Sequence, residues 1–575
     1  MARAKVGTLN ELKSKGCLSG KVGSQPVCVF WSEGEAYAVD DRCPHMGFPL
    51  HRGTVENGLL TCHWHHARFD LSSGGTLDPF ADDVRSHRVE LEGDDVVVVL
   101  RAEADPVARH LRRLDEGLEQ GLTLVIAKAV LALADVLGAD EGAAVALRAG
   151  VEFGVRNREA GWGSGLTVLT AMGNVLPALA PPERCLALVH GLAFVSRDTR
   201  GRPPRFALSP LDGEVPAPRL VSWYRRFLDT RNGDAAERVL ATAASAGASP
   251  GDLAGLMGTG ATDHVFVDGG HTIDFTNKAF EVLEHLGWEH AATVLPSLAH
   301  QTAGASRSEE TGAWRHPDDL AGLLSDIQSG GAVPAGSGSL TDDDVDGLAW
   351  AILGDDAERI VAALETAAER GGTYEQLARA VAYAASLRLV RFHTQNDHGD
   401  WDEVHHAFTT ANAVHQMVRR APDPQVARAI YQGAMKVFLD RFLNVPAARL
   451  PEQHHLAQAT PDLEHLSACW DQEGMVDDAG AIVYGWVRSG ADQGEVIRAL
   501  GAALLSEDAE FHWFQTYEAS VRQAAAWPAG SEQAALILSG AARFLAAHTP
   551  TRRELSQVVS IATRLRRGEA LYEEV

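Results

Sequence analysis

Residues 43–65, CPHMGFPLHRGTVENGLLTCHWH, carry the strongest structural signal in the chain. They contain Cys43-Pro-His45, then sixteen residues, then Cys62-His-Trp-His65. Each end is short enough to form one loop that offers one thiolate and one imidazole. Structural zinc sites of this composition usually pair Cys with Cys and His with His. The alternation found here instead suits a two-iron cluster in which one iron takes both thiolates and the other takes both imidazoles, with a zinc site as the alternative.

The flanking residues predict short strands around both loops. Val27–Trp31 and Ala36–Val39 precede the first loop, and Ala67–Leu71 and the β-branched run Val96–Val99 follow the second. Short apolar runs separated by Gly and Asp are typical of a small antiparallel β domain. The sequence therefore predicts that both loops are carried by such a domain.

Residues 1–100 resemble the Rieske ferredoxin-type domain, through CPHMGFPLHRG and CHWHHARFDLSSGGTLDP. The resemblance implies a [2Fe–2S] cluster, and it implies the ligands Cys43, His45, Cys62 and His65.

The two loops lack one feature of the Rieske proteins of respiratory complexes, which have an extra Cys in each loop and a disulfide that braces the cluster. Here Met46 follows His45 and His66 follows His65, while Cys17 and Cys28 lie outside both loops. The resemblance then implies a low-potential cluster of the kind that feeds oxygenases, and not one that oxidises quinol.

Composition limits the class of protein and its partners. The chain has 575 residues, of which 45% are hydrophobic, so two to four units with a sizeable core are expected. A net charge of −26 argues against nucleic acid and anionic membranes as partners. Six cysteines do not form a disulfide framework, and neither a signal peptide nor a membrane-spanning run is present. We therefore expect a cytoplasmic protein.

After about residue 110 the apolar residues recur at three- and four-residue spacing, which predicts amphipathic helices. The expected fold is a small all-β Rieske domain at the N-terminus followed by a large all-α domain. The expected boundaries are 1–102 for the Rieske domain, then 108–330 and 340–575 for two helical halves. The predicted helices are Leu122–Leu137, Leu166–Leu176, Pro182–Val195, Asp274–Leu286, Asp342–Ala367, Tyr374–Phe392, Asp400–Arg419 and Pro424–Leu443, with further ones at about 476–488, 495–505, 508–526, 531–547 and 551–567.

The glycines of Gly161-Trp-Gly-Ser-Gly165 are a weak match to a phosphate-binding loop. No strand precedes them and no Gly-Lys-Ser/Thr follows, so a tight turn at a helix start is the better interpretation. The chain thus shows no nicotinamide or flavin fingerprint, and we expect an external ferredoxin or flavin reductase to supply electrons.

Histidines of the helical part cluster beside carboxylates in three places. His190 lies on an apolar stretch of a predicted helix, where a hydrogen-bonded core histidine is the plainer interpretation. His271 and Asp274 are three residues apart at a helix start, so their side chains share a face. The third place contains five His and three Asp within residues 391–415, including His393, His398, Asp402 and His405. Surface histidines and capping carboxylates are the structural alternatives.

Imidazoles and carboxylates from several helices are the ligands of non-haem iron sites. We predict a non-haem iron in the helical domain, with ligands drawn from His190, His271, Asp274, His393, His398, Asp402 and His405. Haem bound through His190 is an alternative, but it leaves the other two groups unexplained.

Rieske oxygenases hold their iron through an Asp-x-x-His-x₄₋₅-His pattern in a mixed α/β domain, and this chain lacks that pattern. His285 and His290 have the right gap, but Val282 occupies the position of the acid. Asp402-x-x-His405 has the acid, but Thr410 and Ala411 occupy the two positions of the second His. The combination of a cluster domain with a separate iron domain therefore resembles a Rieske oxygenase. The helical domain, however, differs in kind from the mixed α/β catalytic domain of those enzymes.

The leading hypothesis is an oxidoreductase, namely an iron-dependent monooxygenase or oxidase. The cluster would pass electrons from the reductase to the helical iron, which oxidises a small organic substrate with O₂. Because Rieske oxygenases often pass electrons between subunits, a homo-oligomer is also expected. Two alternatives contain no second metal: a Rieske electron carrier fused to a helical protein-interaction domain, and a redox sensor.

Overall fold

The computed structural model describes residues 2–101, 105–158, 160–311, 318–329, 336–338, 340–451 and 462–571. Two compact units are present, one formed by Met1–Ala149 with Gln557–Val575 and the other by Gly150–Ser556. The predicted boundaries at residues 102 and 330 lie outside the described residues. The division into 1–102, 108–330 and 340–575 therefore stays a prediction.

The first unit contains the predicted small β domain. A six-stranded antiparallel sheet has the order β1-β9-β8-β4-β3-β2, and a three-stranded sheet has the order β5-β6-β7. The strands are β1 Arg3–Thr8, β2 Cys17–Val22, β3 Gln25–Ser32, β4 Glu35–Asp40, β5 Thr54–Glu56, β6 Leu59–Thr61, β7 Arg68–Asp70, β8 Ser86–Glu92 and β9 Asp95–Val99.

Apolar residues of the strands fill two small cores. One core contains Val27, Val29, Val96 and Val98, so alternate residues of β3 and β9 face it. The other lies beneath the two loops predicted to hold the cluster and includes both Cys43 and Cys62.

No strand follows β9 in the part of the chain that the structure describes, and the rest is helical, as predicted. The helices are α1 Leu9–Lys15, α2 Pro106–Gln120, α3 Thr123–Leu137, α4 Ala139–Arg156, α5 Ser164–Val175, α6 Pro181–Thr199, α7 Ala217–Asp229, α8 Gly233–Ser245, α9 Pro250–Thr262, α10 His271–Leu286, α11 Ala291–Val294, α12 Ala299–Gly304, α13 Ser308–Thr311, α14 Leu320–Ser329, α15 Asp342–Ile352, α16 Ala357–Glu369, α17 Tyr374–Val390, α18 Trp401–Arg420, α19 Pro424–Leu439, α20 Leu463–Cys469, α21 Val476–Arg488, α22 Gln493–Ser506, α23 Phe511–Ala524, α24 Glu532–His548 and α25 Glu554–Arg566.

One predicted helix, Asp342–Ala367, is wrong because it is two helices, α15 and α16. The Asp356 side chain accepts a hydrogen bond from the Arg359 backbone N–H at 3.1 Å and caps the start of α16. The Ala-rich pattern continues on both sides of this break, so periodicity alone does not reveal it. No helix in the described part of the chain combines the length and the apolar character that crossing a membrane requires.

A buried network of charges joins α10 to α23 inside the second unit. Lys278 Nζ lies 2.8 Å from Glu281 Oε2 and 2.8 Å from Glu518 Oε2, and all three side chains are excluded from solvent. The Asn174 amide donates to both carboxylates, at 2.7 and 3.1 Å. Burial by itself would lower the pKa of Lys278, but the two carboxylates raise it above its usual value.

This network predicts that the K278M substitution lowers the free energy of unfolding substantially. The substitution removes the buried cation that faces both carboxylates, and it leaves Glu518 with Arg522 at 3.2 Å and Glu281 with Arg420 at 3.9 Å. Removing one partner of a buried ion pair costs about 3–5 kcal/mol, and the two remaining guanidiniums place the expected loss at the lower end of this range. We expect a clearly lower denaturation midpoint of the helical signal in circular dichroism. R359M removes a guanidinium that pairs with Asp356 at the surface, so it should change stability by less than about 1 kcal/mol. Equal midpoints for both variants would contradict a stabilising role of the network.

Candidate metal centres

The two cysteine–histidine loops are held at neighbouring ends of strands in the first unit. The first loop follows β4, and the Cys43 backbone N–H donates to the Phe48 carbonyl at 2.7 Å. The second loop joins β6 to β7, and the Cys62 N–H donates to the Ala67 carbonyl at 2.9 Å. Gly47 has a φ of +83°, a conformation that favours glycine and lets the first loop turn back on itself.

The loops bring the two thiols together and the two imidazoles together. Cys43 and Cys62 are buried and hydrogen-bonded to each other. The rings of His45 and His65 are 4.8 Å apart between centroids, and His65 is the more exposed of the two. His45 Nδ1 is buried and has no hydrogen-bond partner. Paired thiolates, paired imidazoles and an unsatisfied ring nitrogen fit a Rieske [2Fe–2S] cluster.

Backbone amides face both sulfur atoms. The N–H groups of His45 and Met46 donate to Cys43, and those of Trp64 and His65 donate to Cys62. The hydrogen bond between the thiols, together with burial, raises the pKa of Cys43. The same hydrogen bond lowers the pKa of Cys62 to about 6, and the two amides add to this shift.

No disulfide braces these loops, because all six cysteines are free thiols.

Among the described residues of the second unit, two groups of side chains are close enough to hold a metal ion, and both groups contain His512. One group is Asp402, His405 and His512, and the other is His271, His406 and His512. The ligand atoms within each group all lie within 4.8 Å of one another. His406 Nε2 and His512 Nε2 are 3.0 Å apart, a separation that two nitrogens bound to one metal at about 2.1 Å each can have.

His405 occupies the most constrained position in this cluster of imidazoles. Its side chain is 0% exposed, and neither ring nitrogen has a hydrogen-bond partner. Burial, and then the neighbouring rings of His406 and His512, hold its pKa well below the usual value. Burial lowers the pKa of His406 to about 2 and that of His512 to about 4. Neutral imidazole is the form that binds metals, so these rings are ready to act as ligands.

His271 is oriented by an unusual turn at the start of α10. Its Nδ1 donates to the Asp268 carbonyl at 3.0 Å, which leaves Nε2 directed to the other ligands. Phe266 and Asp268 have φ values of +46° and +51°, rare for residues with a side chain. A Cβ on Gly270 would lie 2.3 Å from the Thr410 hydroxyl of α18, so glycine permits this close approach of α10.

Of the predicted helical ligands, the structure places Asp402 and His405 in one of the two groups and His271 in the other, and it places the remaining four outside both groups. His190 is buried in α6, and its Nε2 donates a hydrogen bond to the Leu505 carbonyl at 3.0 Å. It is therefore a hydrogen-bonded core histidine. The other three also have different neighbours. Asp274 contacts the Gln515 amide, and the His393 ring accepts a hydrogen bond from the Gln395 N–H at 3.1 Å. The His398 ring lies 4.5 Å from the His548 ring between centroids, with the two planes tilted by 51°.

Sequence reasoning missed His406 and His512. Adjacent residues on a helix point about 100° apart, so an argument from one shared face selects His405 and discards His406. The pair His405-His406 was nevertheless a usable signal, because two neighbours can face two different helices. His512 lies in the aromatic run Phe511–Phe514 at the start of α23, and only the packing of α23 against α18 reveals which residues it meets.

Comparison with known proteins identifies the family to which the N-terminal part of the chain is similar. The family model for the Rieske [2Fe–2S] domain matches residues 2–88. The ferredoxin component of biphenyl 2,3-dioxygenase from Rhodococcus jostii (strain RHA1) is 33% identical over 101 residues, which are 17% of this chain and 94% of that protein.

Two further proteins match over the same part. Apoptosis-inducing factor 3 of Mus musculus is 30% identical over 93 residues, 16% of this chain and only 15% of that protein's length. The solved ferredoxin of carbazole 1,9a-dioxygenase from Nocardioides aromaticivorans IC177 has 25% identity and a TM-score of 0.17, covering 18% of this chain and 100% of its own. Through its N-terminal domain, this chain belongs to the Rieske [2Fe–2S] family.

Proposed function

We propose that this protein is an oxidoreductase, a monooxygenase or oxidase, in which a Rieske [2Fe–2S] cluster passes electrons from an external reductase to a non-haem iron in the helical unit. The iron serves the O₂-dependent oxidation of a small organic substrate. Family membership supports the cluster, and the name of the Rhodococcus relative associates such a domain with a dioxygenase. The helical iron is supported by the side chains around His405.

The group formed by Asp402, His405 and His512 carries this proposal. Two imidazoles and one carboxylate form the ligand set of non-haem iron(II) oxygenases, which leaves positions open for oxygen and substrate. Asp402 Oδ1 lies 3.8 Å from His405 Nε2 and 3.5 Å from His512 Nδ1. Iron bound there would supply one-electron redox chemistry and a site for O₂.

The surroundings of the helical site divide into a closed side and an open side. His405 is fully buried against the Phe544 ring at 5.8 Å between centroids, which keeps water from that side. The Asp402 side chain is 55% exposed and forms the solvent-facing side, where a small molecule can approach. Asp274, one turn after His271, has its pKa raised to about 7 by burial, and its carboxyl contacts the side-chain amide of Gln515, three residues after His512 on α23.

The two histidines of the cluster loops, His45 and His65, differ in solvent exposure, and we infer different roles from this. His65 is exposed beside the Trp64 ring, at 4.4 Å between centroids, and offers the edge that a partner can reach. His45 is covered by Phe80 at 4.9 Å and by its own loop. We assign the four residues Cys43, His45, Cys62 and His65 to the cluster and expect electrons to enter or leave through the His65 edge.

The helical iron predicts a metal content above that of the cluster alone. Wild-type protein should contain about three irons or more per chain, and H405A/H512A should lose the excess while the rhombic EPR signal of the cluster remains. H393A is the matched control, because His393 lies outside both ligand groups. About two irons per wild-type chain, with acid-labile sulfide to match, would contradict the helical iron and favour the electron-carrier or sensor alternative.

If electrons enter through the cluster, C62S should lose the cluster and the oxygen uptake but keep the iron of the helical site. Without the Cys62 thiolate the cluster should not assemble, so its visible absorbance and its EPR signal should disappear. Iron at the helical site should remain, while reductase-driven oxygen uptake, measured with an oxygen electrode, should fall to the background rate. C17S, at a half-buried thiol outside the loops, should behave as wild type. Undiminished oxygen uptake by C62S would show that electrons reach the reaction by another route.

A further inference from the structure

Lys128 lies on α3, outside the matched Rieske region, yet its ammonium contacts the first cluster loop. Nζ donates to the Pro44 carbonyl at 2.7 Å and to the His45 carbonyl at 2.6 Å. Asp82 Oδ2 lies 3.8 Å away, and the side chain is only 14% exposed. The ammonium thus makes two hydrogen bonds to carbonyl oxygens. Burial lowers the pKa of Lys128, and the nearby Asp82 carboxylate opposes that shift and favours the charged form.

The two carbonyls that Lys128 binds have a special position in the loop. The Pro44 carbonyl and the His45 N–H belong to one peptide group, and the His45 carbonyl and the Met46 N–H belong to the next. Both of these N–H groups donate to the Cys43 sulfur. Lys128 therefore holds the oxygen ends of the two peptide groups whose nitrogen ends face the sulfur. Hydrogen bonds arranged in such chains polarise and strengthen one another.

A second cation supports the other side of His45. Arg113 of α2 donates to the carbonyls of Pro79 and Ala81 at 3.2 and 3.1 Å. Phe80, between them, packs on the His45 ring. Arg113 also bonds Asp82 at 2.7 Å and contacts Glu116. The helices α2 and α3 thus fix both the backbone and the ring surroundings of this ligand.

We propose that Lys128 is a positioning residue of the cluster, which fixes the turn from Cys43 to Met46 and favours the reduced cluster through its positive charge. This inference rests on the cluster part of the proposed function and is independent of the helical iron. Reduction adds one negative charge to the cluster, and a nearby buried cation stabilises that charge. Net charge and hydrogen bonds to the sulfurs are among the factors that set the potential of such clusters.

The test compares the midpoint potential of the cluster in full-length variants, by redox titration followed through EPR and visible absorbance. K128M keeps the length of the side chain and removes the charge and the donors. We expect its reduction equilibrium constant to fall at least tenfold, which is a shift of about 59 mV to lower potential for one electron. K128R should stay close to wild type. K21M changes the net charge equally at an exposed lysine and should leave the potential unchanged.

Cluster retention, measured as iron and acid-labile sulfide, is the second readout. A K128M protein that folds but loses its cluster, while K128R retains it, also supports the positioning role. Equal potentials and equal cluster content in K128M and wild type overturn the Lys128 proposal and leave the proposed function intact. If the wild-type protein lacks the rhombic EPR signal of the cluster, both the Lys128 proposal and the proposed function are overturned.

Discussion

The buried ion pairs of Lys278 with Glu281 and Glu518 are the interaction on which the helical site depends. They join α10 to α23. His271 lies seven residues before Lys278, two turns along α10, and His512 lies six residues before Glu518 on α23. Because unpaired charges are costly inside a protein, the two helices have little freedom to slide past each other. The same constraint therefore limits the distance between His271 and His512, which belong to the ligand group adjoining the candidate iron site.

The Rieske part could be predicted from the sequence because its chemistry is local. Cys43, His45, Cys62 and His65 lie on two short loops, so their spacing alone indicates which side chains meet. Helical periodicity likewise predicted the class of the remaining chain, and most predicted helices agree with observed ones to within a few residues. It failed at residues 342–367, where a capping aspartate begins a new helix without interrupting the apolar pattern.

The helical site could be predicted only where two ligands share one helix, as Asp402 and His405 do. His512 joins them through the packing of α23 on α18. It lies 107 positions after His405 in the sequence, a separation that no local pattern bridges. His190 shows the opposite case. A histidine on an apolar helix face needs a partner for its ring, and the carbonyl of Leu505 supplies one. Sequence alone does not distinguish a backbone acceptor from a metal.

The C-terminal residues of the chain complete the surroundings of the first cluster loop. Arg42 donates to the Glu569 carbonyl at 2.8 Å, across 527 positions of sequence, and a Cβ on Gly47 would lie 3.2 Å from Leu565. During synthesis the N-terminal segments emerge first and begin to fold first. The loop that contains Cys43 therefore reaches this packing only after residues 565–569 have been synthesised. Iron and sulfide that enter before that point would meet a loop that still lacks its contacts with α25 and the turn after it.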